Sequence, residues 1–485
     1  MVGGTRKVSF WTRRKAIDTI TAGHEGGHEL KKTLSWPHLV ALGVGAVVGT
    51  GIYTLVGDGA GMAGPGVILS FLIAGAVCAC AALCYAELST MIPASGSAYT
   101  YSYVAMGEPV AWFVGWSLVL EYTLVCAAVA VGWSDHAASL FRLVGFPEVL
   151  LHGPHQQGII NLPAVIISMA VAGLLALGTR ESATVSMILV VVKIAALALF
   201  VALALPAFNA GHFTPFMPYG FGAHTLQGVG AEGAKFGVMA AASLIFFAFY
   251  GFDAVSTAAE ETKNPKRDLT IGIVGSMVVC SVIYMVVAAT AIGASPTDVF
   301  SKEGAPLVFI IKSLRHPLMA EVVAMAAVVA LPTVILAFMY GQSRIFFVMS
   351  RDGLLPRALS AVNAKTGTPV VMTLLTGALA AGLSGFLSLK EIAALANAGT
   401  LAAFIAVGMS VIILRLRDPR RPRVFSTPIW WLVAPGAILG CLYLFYSLSA
   451  KTQIYFLIAH VIGTVLYLAY GVRKSVLAQQ EKAAG

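Results

Sequence analysis

The chain has 485 residues, of which 58% are hydrophobic and only 11% charged, and its formal net charge is +9. That composition excludes an ordinary soluble enzyme or binding domain and indicates a chain that crosses a membrane many times. The basic balance does not argue for nucleic acid, because Lys and Arg lie beside apolar runs, where anionic lipid headgroups account for them.

Residues 1–36 are polar and basic, carrying Arg6, Lys7, Arg13, Arg14, Lys15, Lys31 and Lys32 without the apolar core of a cleavable leader. They read as an N-terminal tail on the inner side. Within it, His24, Glu25, Gly26, Gly27 and His28 match the zinc-protease pattern H-E-x-x-H. That pattern works only where one helix sets both histidines on one face, and Gly23, Gly26 and Gly27 oppose a helix. The stretch is read as a solvated loop or an inner lid, with no metal.

Runs long enough to cross about 30 Å of hydrocarbon occupy residues 38–60, 66–90, 105–133, 161–178, 182–206, 236–260, 269–294, 318–348, 369–386, 392–415, 428–449 and 453–472. The reading is an all-α polytopic membrane protein of twelve transmembrane helices. With the N-terminus inside, 23 of the 31 Lys and Arg residues fall on inner segments, which places both termini inside.

Span 1 holds Gly43, Gly45, Gly49 and Gly51, and each glycine weakens a helix interior by about 1 kcal/mol relative to alanine. A broken membrane helix is tolerated only where the freed backbone groups face protein or a wet cavity, so residues 43–53 read as a binding site made of main chain. Gly59, Gly61 and Gly64 spell G-x-G-x-x-G but follow a membrane helix, and read as the outer turn. Glu87 ends span 2 as a structural or gating partner, and residues 93–101 suit a short helix under the inner mouth.

Glu121 lies deep in span 3, where an ionisable group either faces a cavity or bonds a neighbouring helix. Lys193 lies about two turns into span 5, and a functional role is favoured over snorkelling toward the inner surface. Span 6 carries Gly251 and Asp253 at its middle, a second expected break, with Asp253 either capping the second half-helix or walling the cavity. Spans 1 and 6 hold the same ordinal place in each half, the signature of a five-plus-five inverted repeat with broken helices 1 and 6. The organisation is a tail (1–36), a first repeat (37–210), a second repeat (211–418), two peripheral helices (419–473) and a C-terminal tail (474–485). All six cysteines sit in apolar segments and read as packing residues, not disulfides.

Taken together, Gly43 to Tyr53, Cys84-Tyr85-Ala86-Glu87, Gly115 to Tyr122, Lys193, Phe249-Tyr250-Gly251-Phe252-Asp253, Glu260 to Pro265 and Ser350 to Pro356 resemble the amino acid, polyamine and organocation transporter superfamily. Within it the chain is similar to bacterial members of the cationic amino acid transporter family, over residues 11–475. The resemblance implies a secondary active amino acid transporter, a proton-coupled symporter working by alternating access, driven by the proton gradient with no cofactor.

It also implies roles for particular residues. The substrate carboxylate would meet the amides around Gly49, Thr50 and Gly51. The ammonium would meet carbonyls near Ala46 and Val47 and from Phe246, Phe247 and Phe249. Glu121, Tyr250, Phe252, Asp253 and span 8 would wall the side-chain pocket, with Pro332 and Phe338 both candidates. Lys193 would couple the proton, beside the carbonyls of Gly43, Val44 and Gly45. The expected partners are an amino acid, the lipid bilayer of a bacterial inner membrane, and a second copy through spans 11–12 or a small accessory subunit. The runner-up is a uniporter or exchanger of cationic amino acids such as arginine, lysine or ornithine. A membrane zinc protease is a remote alternative. A receptor is a further one, and a channel is disfavoured because the charges stand isolated at the two breaks.

Overall fold

The computed structural model describes residues 13–21, 32, 34–177, 182–226, 234–361, 363 and 369–484. The H-E-x-x-H stretch lies outside them. The helices begin with α1 (Ile17–Thr21), α2 (Trp36–Val47), α3 (Thr50–Tyr53), α4 (Leu55–Ala63), α5 (Val67–Met91), α6 (Ser97–Ala105), α7 (Glu108–Leu143), α8 (Leu162–Leu177) and α9 (Ser182–Ala204). They continue with α10 (Val238–Ile245), α11 (Phe252–Thr257), α12 (Pro265–Ala294), α13 (Thr297–Phe300), α14 (Pro306–Ser313), α15 (Pro317–Ala330) and α16 (Pro332–Arg351). The last are α17 (Val370–Phe386), α18 (Leu389–Arg417), α19 (Trp430–Ser447), α20 (Ala450–Leu466), α21 (Val472–Lys474) and α22 (Val476–Ala484). A small antiparallel pair, β1 (His224–Thr225) and β2 (Lys235–Phe236), precedes α10.

Among the described residues nine helical stretches are long and apolar enough to cross a membrane, and Trp36–Val47, Leu162–Leu177 and Val370–Phe386 are shorter apolar helices. The interior is built where α2, α5, α7, α12, α16 and α18 pack on one another. By contrast, α19 and α20 lie outside, with Trp431, Leu439, Leu457 and Val465 exposed on their outer faces. These exposed side chains suit contact with lipid tails.

Two breaks organise the core. Helix α2 opens with Pro37 in its first turn, where a missing N–H costs nothing, and it ends where Val48 turns extended. The second break runs from a 3₁₀ turn over Phe246–Ala248 to Gly251, whose φ of +122° is open to glycine and strained for other residues. The broken segments are also tied at their ends. Leu34 N–H donates to Glu261 O (3.0 Å) and Lys263 N–H to Leu34 O (2.8 Å), while Gly237 N–H donates to Met62 O (2.9 Å).

Span 8 stays helical through Leu331 but loses a ladder hydrogen bond where α15 meets α16, which the sequence reading did not anticipate. Pro332 has no N–H to reach back to Val328, so that carbonyl takes the Trp133 indole N–H instead, at 2.7 Å. Ala330 O is filled by the Thr333 hydroxyl at 2.7 Å. Glu87, at the end of α5, is buried and holds Arg415, Arg423 and the Thr427 N–H, joining α5 to the end of α18. All six cysteines are free thiols.

Candidate functional site

The two breaks cross each other. An added Cβ at Gly251 would lie 2.9 Å from the Ala46 carbonyl carbon, and one at Gly51 would lie 3.1 Å from Ala248 N and closer still to its Cα. Each glycine thus faces the last turn of the other helix's first half. Such an approach is open only to residues without a side chain.

Carbonyls at the end of α2 have partners on one side only. Lys193 Nζ donates to Gly45 O (2.8 Å), Val48 O (2.7 Å) and Thr333 Oγ1 (2.8 Å). These three acceptors use all three ammonium protons. The Tyr284 hydroxyl donates to Val47 O at 2.6 Å, and the Tyr53 hydroxyl donates to the Lys193 carbonyl at 2.9 Å. Lys193 therefore meets Gly45 as the sequence suggested. Gly43 instead faces Ser276 and Val255, and Val44 O accepts the Val48 N–H. Val48 and Thr333 are partners that sequence reasoning missed.

On the other side of the same residues lies a narrow cavity. Ala46, Val47, Gly49, Thr50 and Gly51 line it from the first break, and Phe247 and Tyr250 from the second. Val125 and Val129 of α7 and Val334 and Phe338 of α16 complete the wall. Its volume is about 10 Å³, room for roughly one water, so a larger guest requires the helices to part.

The polar groups facing this cavity are incomplete. Among the described residues, the N–H groups of Thr50 and Gly51 have no acceptor, and Ala46 O and Phe247 O have no donor. The Thr50 hydroxyl is also buried without a partner among the described residues, and the Tyr250 hydroxyl makes no close hydrogen bond, with the Thr400 side chain near it. Buried polar groups are nearly always hydrogen-bonded, so unpaired donors and acceptors facing one void mark where a ligand's own polar groups belong. Donors gather at the start of α3, where the helix dipole favours an anion; acceptors gather at ends that favour a cation.

Several sequence candidates do not line the cavity. Asp253 sits in the first turn of α11, accepting Gly251 N–H (2.9 Å) and the Tyr122 hydroxyl (2.5 Å), so it neither walls the cavity nor occupies the cap position, which Gly251 takes. Phe246 and Phe252 pack on Phe404, and Phe249 packs on Phe71 and Tyr284. Glu121 is fully buried beside Gly399 and Thr400 of α18, and among the described residues neither carboxylate oxygen makes a close hydrogen bond, the Thr400 hydroxyl being the polar partner beside them. Of the two span 8 candidates, Phe338 faces the cavity and Pro332 opens α16.

The family model for amino acid permeases matches residues 34–467. The chain belongs to that family. A branched-chain amino acid permease, BcaP of Bacillus subtilis (strain 168), is 42% identical over 473 residues, covering 96% of this chain and 99% of the relative. A methylthioribose transporter from the same organism is 38% identical, covering 96% of this chain and 98% of its own. A vacuolar cationic amino acid transporter 2 of Arabidopsis thaliana is 39% identical, covering 84% of this permease and 63% of the plant protein. The permease is a transporter rather than an enzyme, and an integral membrane protein.

Proposed function

We propose that this permease is a proton-coupled symporter for amino acids with apolar side chains, working by alternating access. It would sit in the bacterial inner membrane with both termini inside, its twelve spans forming two inverted repeats over 37–210 and 211–418 and two peripheral helices over 419–473. The observation that carries the reading is the shared use of one break. Lys193 holds Gly45 O and Val48 O on one side. The unpaired amides of Thr50 and Gly51 face the cavity on the other. Losing the lysine's proton would release α2 from α9, and regaining it would draw them together, so protonation and substrate fit act on the same main chain.

In this reading the substrate carboxylate takes the Thr50 and Gly51 N–H groups, and the ammonium takes Ala46 O and Phe247 O. The side chain then meets Val125, Val129, Val334 and Phe338, a wall without charge, which favours an aliphatic group. The branched-chain substrate in the name of BcaP agrees with that chemistry.

A cationic substrate is the second reading. The buried Glu121 carboxylate, which has no cationic partner among the described residues, and the cationic transporters among the relatives favour it. Proteoliposome uptake of labelled leucine, arginine and methylthioribose, with and without an inward proton gradient, separates the cases. Leucine uptake that rises with the gradient and is lost in Lys193→Met supports the proposal. Gradient-independent arginine uptake supports the alternative. Methylthioribose has neither α-group, and its uptake alone would remove the assignment of the two breaks.

A further inference from the structure

We propose that residues 13–18 and the C-terminal segment 472–481 form an autoinhibitory clasp that holds the tail-bearing mouth of the permease shut. The inference rests on the alternating-access reading, because a clasp matters only if that mouth opens. Arg13 is fixed from three directions. Its guanidinium lies 3.5 Å from the Glu108 carboxylate, donates to Glu481 at 2.9 Å and donates to Val472 O at 3.1 Å. Its carbonyl accepts the Glu108 N–H at 2.9 Å. Glu108 is fully buried at the start of α7 and also takes the hydroxyls of Tyr103 (2.8 Å) and Tyr467 (3.0 Å).

Two residues on, Lys15 pairs with Asp352 at the end of α16 and lies over the Tyr103 ring. Asp352 also takes the Tyr99 hydroxyl (2.6 Å), and its carbonyl accepts the Val476 N–H (2.9 Å). Asp18 pairs with Arg421 in the turn after α18. One short segment ahead of α2 is thus bonded to α7, α16, α22 and the turn after α18, with the C-terminal segment seated on the same acid.

The knot reaches the second break through α6. Tyr99 and Ser97 share that helix, and the Ser256 hydroxyl of α11 donates to Ser97 Oγ at 2.8 Å. Beside it the Ser95 N–H donates to Glu260 at 3.0 Å, and Glu260 also holds Arg351 at 3.4 Å. To open a path from this face to the cavity, α11 must leave α6. While Lys15 and Arg13 stay bonded, α6, α7 and α16 are pinned together across that path. Charged hydrogen bonds in partly buried surroundings are strong enough to set such an equilibrium.

Hydrogen–deuterium exchange of the full-length protein without ligand tests the clasp, comparing wild type, Lys15→Met, Lys15→Arg and Glu481→Lys. The expected result is exchange about tenfold faster over Ser97–Ala105 and Phe252–Thr257 in Lys15→Met and Glu481→Lys, from loss of a charged hydrogen bond. Leu55–Ala63 should not change, and Lys15→Arg should match wild type. Unchanged rates in both disruptive variants, or equal acceleration over Leu55–Ala63, would overturn the clasp. Failure of leucine to slow exchange over residues 46–53 in the wild type would instead count against the substrate assignment, leaving the ligand-free comparison intact.

Discussion

Gly251 lies against Ala46, so closely that a side-chain carbon there would stand 2.9 Å from the Ala46 carbonyl carbon. Gly51 meets Ala248 in the same way, and the two contacts make the breaks each other's wall. Gly51→Val should therefore fold but lose binding, because the added methyl groups must push the 3₁₀ turn at Ala248 away from α3. Gly251→Ala adds a strained positive φ, costing about 1–2 kcal/mol, and should weaken binding by about tenfold or more. Leucine-dependent thermal shifts of monodisperse protein check both. An unchanged leucine response in Gly51→Val would contradict the site.

Thr333 supplies the third acceptor to Lys193 while donating to Ala330 O. Thr333→Val keeps the volume and removes both bonds, leaving a buried donor unpaired at a cost of about 1–3 kcal/mol. Gradient-driven uptake is expected to fall by about tenfold, while substrate counterflow, which needs no net proton movement, stays near wild type. Thr333→Ser should restore driven uptake. An equal loss in both assays would assign Thr333 to packing alone.

The breaks were legible because a main-chain site has a composition: four glycines within nine residues in one span, and a glycine beside a buried acid in the other. Lys193 was legible because a lone ammonium at that depth needs acceptors. Its full register was not, since Val48 turns extended and swings its carbonyl to the lysine, so that Val48 joins the expected Gly45 while Gly43 and Val44 make no bond to it. Val125, Val129 and Val334 carried no signal, as an apolar residue in an apolar helix looks the same facing lipid or cavity. Glu121 and Asp253 stood out by charge, yet charge marks cost and not direction, and Asp253 spends its carboxylate on Gly251 and Tyr122. The contacts of Arg13 and Lys15 join residues hundreds of positions apart, beyond any local pattern.

Glu87 is a stability prediction. Its buried carboxylate receives Arg415, Arg423 and the Thr427 N–H. Glu87→Ala would leave the amide unpaired and remove the only carboxylate that the two guanidinium groups bond among the described residues, while they keep their bonds to Ser426 and to nearby carbonyls. Leaving a buried donor without its acceptor costs about 1–3 kcal/mol. A lowered midpoint of thermal unfolding in detergent is expected, with leucine binding retained by the fraction that stays folded. An unchanged midpoint would mean that water or lipid headgroups replace Glu87 at no cost.

Val334 decides how much room a substrate side chain has. It lines the cavity from the first turn of α16, and a β-carbon added at Gly49 would lie 2.8 Å from its Cγ2, so it also touches the first break. Val334→Phe should fill the space meant for a branched side chain while leaving the amides of Thr50 and Gly51 in place. Leucine uptake should then collapse while alanine uptake survives. Val129→Ala works in the opposite sense, opening the wall on α7 so that a bulkier residue such as phenylalanine gains relative to valine. One methylene in an apolar pocket is worth about 1–3 kcal/mol, so ratios of uptake efficiency should move by about tenfold or more. Competition of unlabelled amino acids against labelled leucine measures these ratios in a single assay. If Val334→Phe lowered alanine and leucine uptake equally, the residue would be a hinge of the break and not a wall of the pocket.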